Sequence, residues 1–115
     1  PTESIKTTSN HLFVKSEYKL IRIAFDDIKY IESQHEYIKI YLINTSPVMT
    51  QLSLKSIEEL LPVDRFMRVH RSFIVNLAKI SVIERNRIIF DNKVHIPISD
   101  QFKEKFQKYI DGDFV

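Results

Sequence analysis

The sequence predicts a mainly β domain with short helices and one further helix at its C-terminal end. Short segments that alternate apolar and polar residues outnumber the helical patterns, and they are rich in β-branched and aromatic residues. Asn, Asp, Ser and Pro cluster where this alternation breaks, which is typical of turns between strands. The last apolar residues instead repeat at helical spacing. These observations together favour a β-rich fold with a docked C-terminal helix.

The first half of the chain is predicted to contain five strands and a short helix. The strands are residues 11–14, 20–23, 28–31, 37–43 and 48–52. The last of these follows a polar turn and is expected to return antiparallel to its predecessor. Ser56 and Glu59 fit a capping box within a short helix that Pro62 ends.

The second half is predicted to contain a three-stranded meander and the C-terminal helix. The meander strands are residues 80–83, 87–90 and 93–98, separated by turns at 85–86 and 91–92. Ser99 is a candidate N-cap for the helix. Apolar residues at i, i+4, i+7 and i+8 mark its buried face, namely Phe102, Phe106, Tyr109 and Ile110.

Length and composition indicate one folded domain. A chain of 115 residues, 43% hydrophobic and 28% charged, can form one continuous core. We interpret residues 1–10 as a linker from a further N-terminal domain, residues 11–110 as the domain, and residues 111–115 as a tail. No apolar run reaches the roughly 20 residues that span a bilayer, and the N-terminus lacks a signal-peptide pattern. We therefore expect a cytoplasmic domain without a membrane partner.

The residue types that enzymes and metal sites need occur in no recognisable pattern. The chain has no cysteine, and its single glycine excludes Gly-rich phosphate loops. The four histidines show no metal-binding spacing, and the acids fit turns and helix surfaces better than a catalytic pair. We therefore expect no catalysis, no cofactor and no metal.

A basic segment between Arg65 and Leu77 carries the most information about function. Its cations alternate with apolar residues that are expected to dock into the core, namely Phe66, Val69, Phe73, Ile74 and Leu77. The pattern suggests a rigid basic loop that leaves Arg68, His70 and Arg71 near the surface, where guanidinium groups can bind phosphate or guanine. A salt-bridged, solvated basic surface is the alternative interpretation.

Residues 66–77 closely resemble the signature of LytTR DNA-binding domains, and blocks on both sides follow in that family's order. These blocks are residues 25–32, 37–40, 54–61, 80–84 and 96–99, so the resemblance covers about residues 11–110. It implies an elongated arrangement of small antiparallel sheets. It also implies sequence-specific binding of double-stranded DNA through edge loops that enter successive major grooves, rather than through a recognition helix.

The resemblance implies three DNA-contacting loops, at residues 34–37, 70–72 and 99–101. The implied base-contacting residues are Arg71, His35, Tyr37 and Gln101, with guanine as the target of Arg71. The implied phosphate-contacting or positioning residues are Arg68, His70, Ser72, Lys79 and Ser99. Asp100 departs from the family pattern, in which a basic residue often follows the serine, and its acid suits the first turn of a helix instead.

The resemblance further implies the output domain of a bacterial two-component response regulator. Its partners would be an N-terminal receiver domain, phosphorylated to promote pairing, and two tandem DNA half-sites that the protein binds as a homodimer. The residues themselves leave open a protein-interaction or sensor module built on the same β scaffold. RNA binding ranks third because no aromatic pair has the required spacing.

Overall fold

The computed structural model describes residues 10–113, and within them it confirms the mainly β fold. The strands are β1 (His11–Ser16), β2 (Lys19–Ala24), β3 (Ile28–Gln34), β4 (Tyr37–Leu42), β5 (Val48–Thr50), β6 (Phe66–His70), β7 (Phe73–Asn76), β8 (Val82–Glu84), β9 (Arg87–Phe90) and β10 (Val94–Pro97). The α-helices are α1 (Leu54–Glu58) and α2 (Asp100–Asp113). Residues 1–9 of the predicted linker and the last two residues of the predicted tail lie outside the described range.

The strands form three antiparallel sheets, as the family resemblance implied. Strands β1 and β2 form a ribbon, β10, β9 and β8 form the predicted meander, and a five-stranded central sheet has the order β5-β4-β3-β7-β6. The described part of the molecule measures 42 × 34 × 26 Å, which agrees with an elongated arrangement.

The central sheet is buried on both of its faces. Successive side chains of a strand point to opposite faces, and in β7 Ile74 enters one hydrophobic core while Val75 enters the other. The first core contains residues of the β1–β2 ribbon and α1, and the second contains residues of the meander and α2. This two-sided burial explains why β7 reads as a continuous apolar run and not as an alternating strand.

Tyr30 joins the central sheet to the meander in the second core. Its ring stacks on Tyr41 at 4.3 Å and lies 5.0 Å from the ring of Phe90. Burial, with smaller contributions from Tyr41, Glu32 and Asp91, raises the pKa of Tyr30 from 10.0 to about 12. The phenol therefore resists ionisation further into the alkaline range than an exposed tyrosine does.

The prediction of a basic loop at residues 65–77 was wrong, because these residues form a β-hairpin. The register of β6 against β7 shifts between Arg68 and His70, so Val69 is the additional residue of a β-bulge. The bulge lets Val69 enter the second core fully buried. It also interrupts the alternation that would have identified a strand. Of the five residues of this segment that were predicted to dock into the core, only Phe73 remains partly exposed.

Two smaller predictions also need correction. The meander begins at Val82 rather than residue 80, because residues 77–79 form a 3₁₀ turn after Asn76. Asn76 is buried, and its amide nitrogen donates to the carbonyl oxygens of Phe25 and Ile28 at 3.1 and 2.9 Å. The α1 N-cap is Ser53 and not Ser56, since Ser53 Oγ accepts a hydrogen bond from the Ser56 amide at 3.0 Å.

The position of this cap gives a direct stability prediction. Ser53→Ala is expected to lower the free energy of unfolding by about 1 kcal/mol, because it removes the side-chain acceptor for a helix amide. Ser56→Ala, which leaves that acceptor in place, should cost less. Urea unfolding of both variants measures the difference, and a larger loss for Ser56→Ala would contradict the assignment of Ser53 as the cap.

Candidate nucleic-acid interface

Three segments that the sequence analysis singled out lie together at one end of the central sheet. The Ser33 amide donates to the Ser72 carbonyl at 2.8 Å, so the β3–β4 turn and the β6–β7 turn are neighbours. The Ser99 amide donates to the Val69 carbonyl at 3.0 Å, which brings the start of α2 beside the bulge in β6. Backbone hydrogen bonds therefore connect all three segments.

The β3–β4 turn presents His35 to solvent. Gln34 pairs with Tyr37 across the hairpin, so His35 and Glu36 form its tip, and His35 adopts a left-handed φ of 58°. Both tip residues are exposed. Tyr37 is the first residue of β4 and is exposed, and it lines an open groove of about 920 Å³ together with residues of the β1–β2 ribbon.

The β6–β7 turn presents Arg71, and its backbone is fixed by two neighbouring side chains. Arg68 Nη2 donates to the Arg71 carbonyl at 2.8 Å, and Arg68 Nε donates to the His70 carbonyl at 3.4 Å. His70 Nδ1 accepts from the Ser72 amide at 3.1 Å. The Arg71 side chain is exposed and takes part in no ion pair among residues 10–113. Its guanidinium is thus available to a ligand at a defined position.

Arg68 also connects this turn to both helices. Its Nη1 atom lies 3.8 Å from Glu58 Oε1 in α1, and its guanidinium carbon lies 6.0 Å from the ring centre of Phe102 in α2. Its side chain is only 25% exposed. These contacts assign Arg68 to positioning of the turn. No local pattern in the sequence indicates them, because the partners are 10 and 34 positions away.

The third segment is the beginning of a helix and not a loop. Asp100 and Gln101 are the first residues of α2, and both are exposed. Ser99 directly precedes the helix, is half-buried, and accepts a hydrogen bond from the Phe102 amide through its carbonyl at 3.0 Å. The acid of Asp100 in this first turn is favourable for the helix dipole.

Lys79 is not brought to this end of the sheet. It lies in the 3₁₀ turn after β7, whereas Arg71 precedes the other end of that strand. Lys79 instead lines a second groove with Lys29 and Asp91, which form an ion pair at 2.7 Å. Arg65, another cation of the basic segment, forms an ion pair with Asp26.

Two exposed arginines near the third segment were not among the predicted site residues. Arg85 and Arg87 belong to the β8–β9 hairpin, and the Ile98 amide donates to the Asn86 carbonyl of that hairpin at 3.0 Å. Only the fold shows that this hairpin lies next to the start of α2.

The described residues contain neither a group of three metal-binding side chains nor a helix long and apolar enough to cross a membrane. A β scaffold that presents exposed cationic turns at one end defines a small nucleic-acid-binding domain. The chain belongs to the LytTR family, because the family model described as the LytTr DNA-binding domain matches residues 18–111. The family is one of DNA-binding domains and not of enzymes, which confirms the prediction that this domain is not an enzyme.

Relatives support the family assignment at the levels of sequence and structure. The LytTr DNA-binding domain of a response regulator from Bacillus cereus is 27% identical with a TM-score of 0.74, and the match covers 89% of this chain and 97% of that one. The sensory transduction protein LytT from Enterococcus faecalis is 28% identical over 83% of this chain. An uncharacterised response regulatory protein from Vibrio cholerae is 24% identical over 74% of this chain. The matched regions span only 41% and 35% of these two curated relatives.

Proposed function

We propose that this domain recognises a specific double-stranded DNA sequence through the β3–β4 turn, the β6–β7 turn and the start of α2. In this proposal Arg71 reads a guanine, and His35, Tyr37 and Gln101 are the further base-contacting residues. Ser72 and Ser99 contact phosphates or position the DNA at this end of the sheet, and Arg68 and His70 position the β6–β7 turn. Lys79 contacts a phosphate or positions the DNA at the other end of β7.

The exposed Arg71 on a fixed backbone is the observation that carries this proposal. A guanidinium discriminates guanine through two simultaneous hydrogen bonds to O6 and N7. The backbone that carries the arginine must therefore be held in a defined orientation. Arg68 and His70 provide that restraint through the hydrogen bonds of the turn. A merely solvated cation would not require this support.

The descriptions of the relatives support a regulatory role for the proposed DNA binding. Two of the matched proteins are described as response regulators, and a third as a sensory transduction protein. We therefore propose transcription regulation as the output domain of a bacterial two-component response regulator located in the cytoplasm. An N-terminal receiver domain, a homodimer on DNA and two tandem half-sites belong to the same proposal.

Selection of bound sequences from random duplex DNA, followed by salt titration, tests this function. We expect a short motif repeated at a spacing of about 10 base pairs, since tandem domains then face the same side of the duplex. The affinity for that motif should fall linearly on a double-logarithmic salt plot, with a slope of about −0.9 for each phosphate neutralised.

The protein-interaction or sensor module is the alternative outcome of the same experiment. An apolar protein interface loses little affinity as salt rises, whereas phosphate contacts lose much. Recovery of no enriched motif, together with duplex binding that is absent at low salt, would contradict the proposal.

A further inference from the structure

We infer that Arg85, at the tip of the β8–β9 hairpin, is a fourth DNA-contacting element and binds a backbone phosphate beside the start of α2. This inference rests on the proposed function. It adds a contact from a separate sheet, whereas the first two predicted segments belong to the central sheet.

The connection between the two sheets is formed by consecutive residues. The Ile98 amide donates to the Asn86 carbonyl, and the next amide, that of Ser99, donates to the Val69 carbonyl, each at 3.0 Å. Residues 98 and 99 therefore lie between the β8–β9 hairpin and the bulge that precedes Arg71. The β8–β9 hairpin and the β6 bulge are thus each one backbone hydrogen bond away from the two residues that precede α2.

The backbone at Arg85 is one that an arginine adopts only at a cost. Arg85 and Asn86 have φ values of 54° and 62°, the left-handed pair of a type I′ hairpin turn. Asn, Asp and Gly are the favoured residues there, and the β9–β10 turn of the same sheet does use the pair Asp91 and Asn92. An arginine at a position that costs free energy is consistent with a role for its side chain.

The charges around the start of α2 also favour a phosphate contact from a cation of this hairpin. Asp100, exposed at the start of α2, repels phosphate by itself. Arg87 lies opposite Glu84 in the register of β8 and β9, so an acid partly offsets its charge. Arg85 is exposed at the tip and has no ion-pair partner in the described range 10–113. Arg85 can therefore offer its charge to a phosphate on the hairpin that is hydrogen-bonded to Ile98, two residues before Asp100.

Arg85→Asn tests the contact without disturbing the turn, because Asn suits the left-handed conformation. Lys93→Ala is the matched control, since Lys93 is an exposed cation just after the turn at the opposite end of the same sheet. Binding of each variant to the selected duplex and to a scrambled duplex is measured over a range of salt concentrations. Ethylation interference then locates the contacted phosphates.

Arg85→Asn is expected to weaken binding to both duplexes equally and to reduce the salt slope by about one unit. It should also abolish interference at a phosphate that the unchanged protein contacts. Lys93→Ala should alter neither slope nor interference. An unchanged slope for Arg85→Asn, or an equal reduction for Lys93→Ala, would overturn the inference while leaving the proposed function in place. Lack of DNA binding by the unchanged chain would overturn both.

Discussion

Removal of the chain from Phe102 onward is expected to destabilise the domain strongly. Phe106 is only 2% exposed in the second core, and Tyr109 and Ile110 pack against the same cluster. Full burial of such a side chain contributes about 1.5 to 3 kcal/mol, and the partly buried Tyr109 and Ile110 contribute less each, against the about 5 to 15 kcal/mol that stabilises an ordinary domain. We expect the thermal midpoint to fall by at least about 10 °C.

Two point variants distinguish the effect of side-chain packing on stability from the effect of removing the whole helix. Phe106→Ala should by itself cost about 3 to 5 kcal/mol, because it leaves a cavity in the second core. Lys105→Ala, at an exposed neighbouring position of α2, should leave stability nearly unchanged. Thermal and urea unfolding of all three proteins provide the comparison. A truncated protein as stable as the full chain would show that α2 does not stabilise the second core.

Arg71→Ala is expected to lower affinity for the preferred duplex by about 1 to 3 kcal/mol and to relax the preference at one base pair. Folding should be unaffected, because the Arg71 side chain is exposed and the turn is held by Arg68 and His70. Competition between cognate and scrambled duplexes at matched salt measures the change in discrimination.

Two further variants distinguish base reading from charge. Arg71→Lys keeps the charge but loses the planar fork, so it should retain nonspecific affinity and still lose discrimination. Lys79→Ala removes one positive charge at the other end of β7, and a phosphate contact there predicts equal losses on both duplexes. If Arg71→Ala kept full discrimination, specificity would have to come from His35 or Gln101.

Local sequence patterns were sufficient to predict most of the strands and the C-terminal helix. The segment of β4 alternates between Ile38 and Ile40, which are buried, and more exposed neighbours, so its periodicity is visible without tertiary information. The helical spacing of Phe106, Tyr109 and Ile110 is equally local, and it predicted the packed face of α2. Specific motif order predicted the family in the same way.

The sequence by itself determined the β-rich class and the family, because both depend on the order and spacing of nearby residues, and it predicted Arg71 as a base-contacting residue. Only the tertiary structure showed which of the predicted site residues lie close together. Backbone hydrogen bonds produce three features that no side-chain pattern in the sequence indicates. These are the bulge at Val69, the connection of Ser99 to β6, and the proximity of the β8–β9 hairpin to the start of α2. Only the assembled sheets bring distant positions together or separate near ones. They show that Arg68 holds the β6–β7 turn and that Lys79 lies apart from the other predicted contacts.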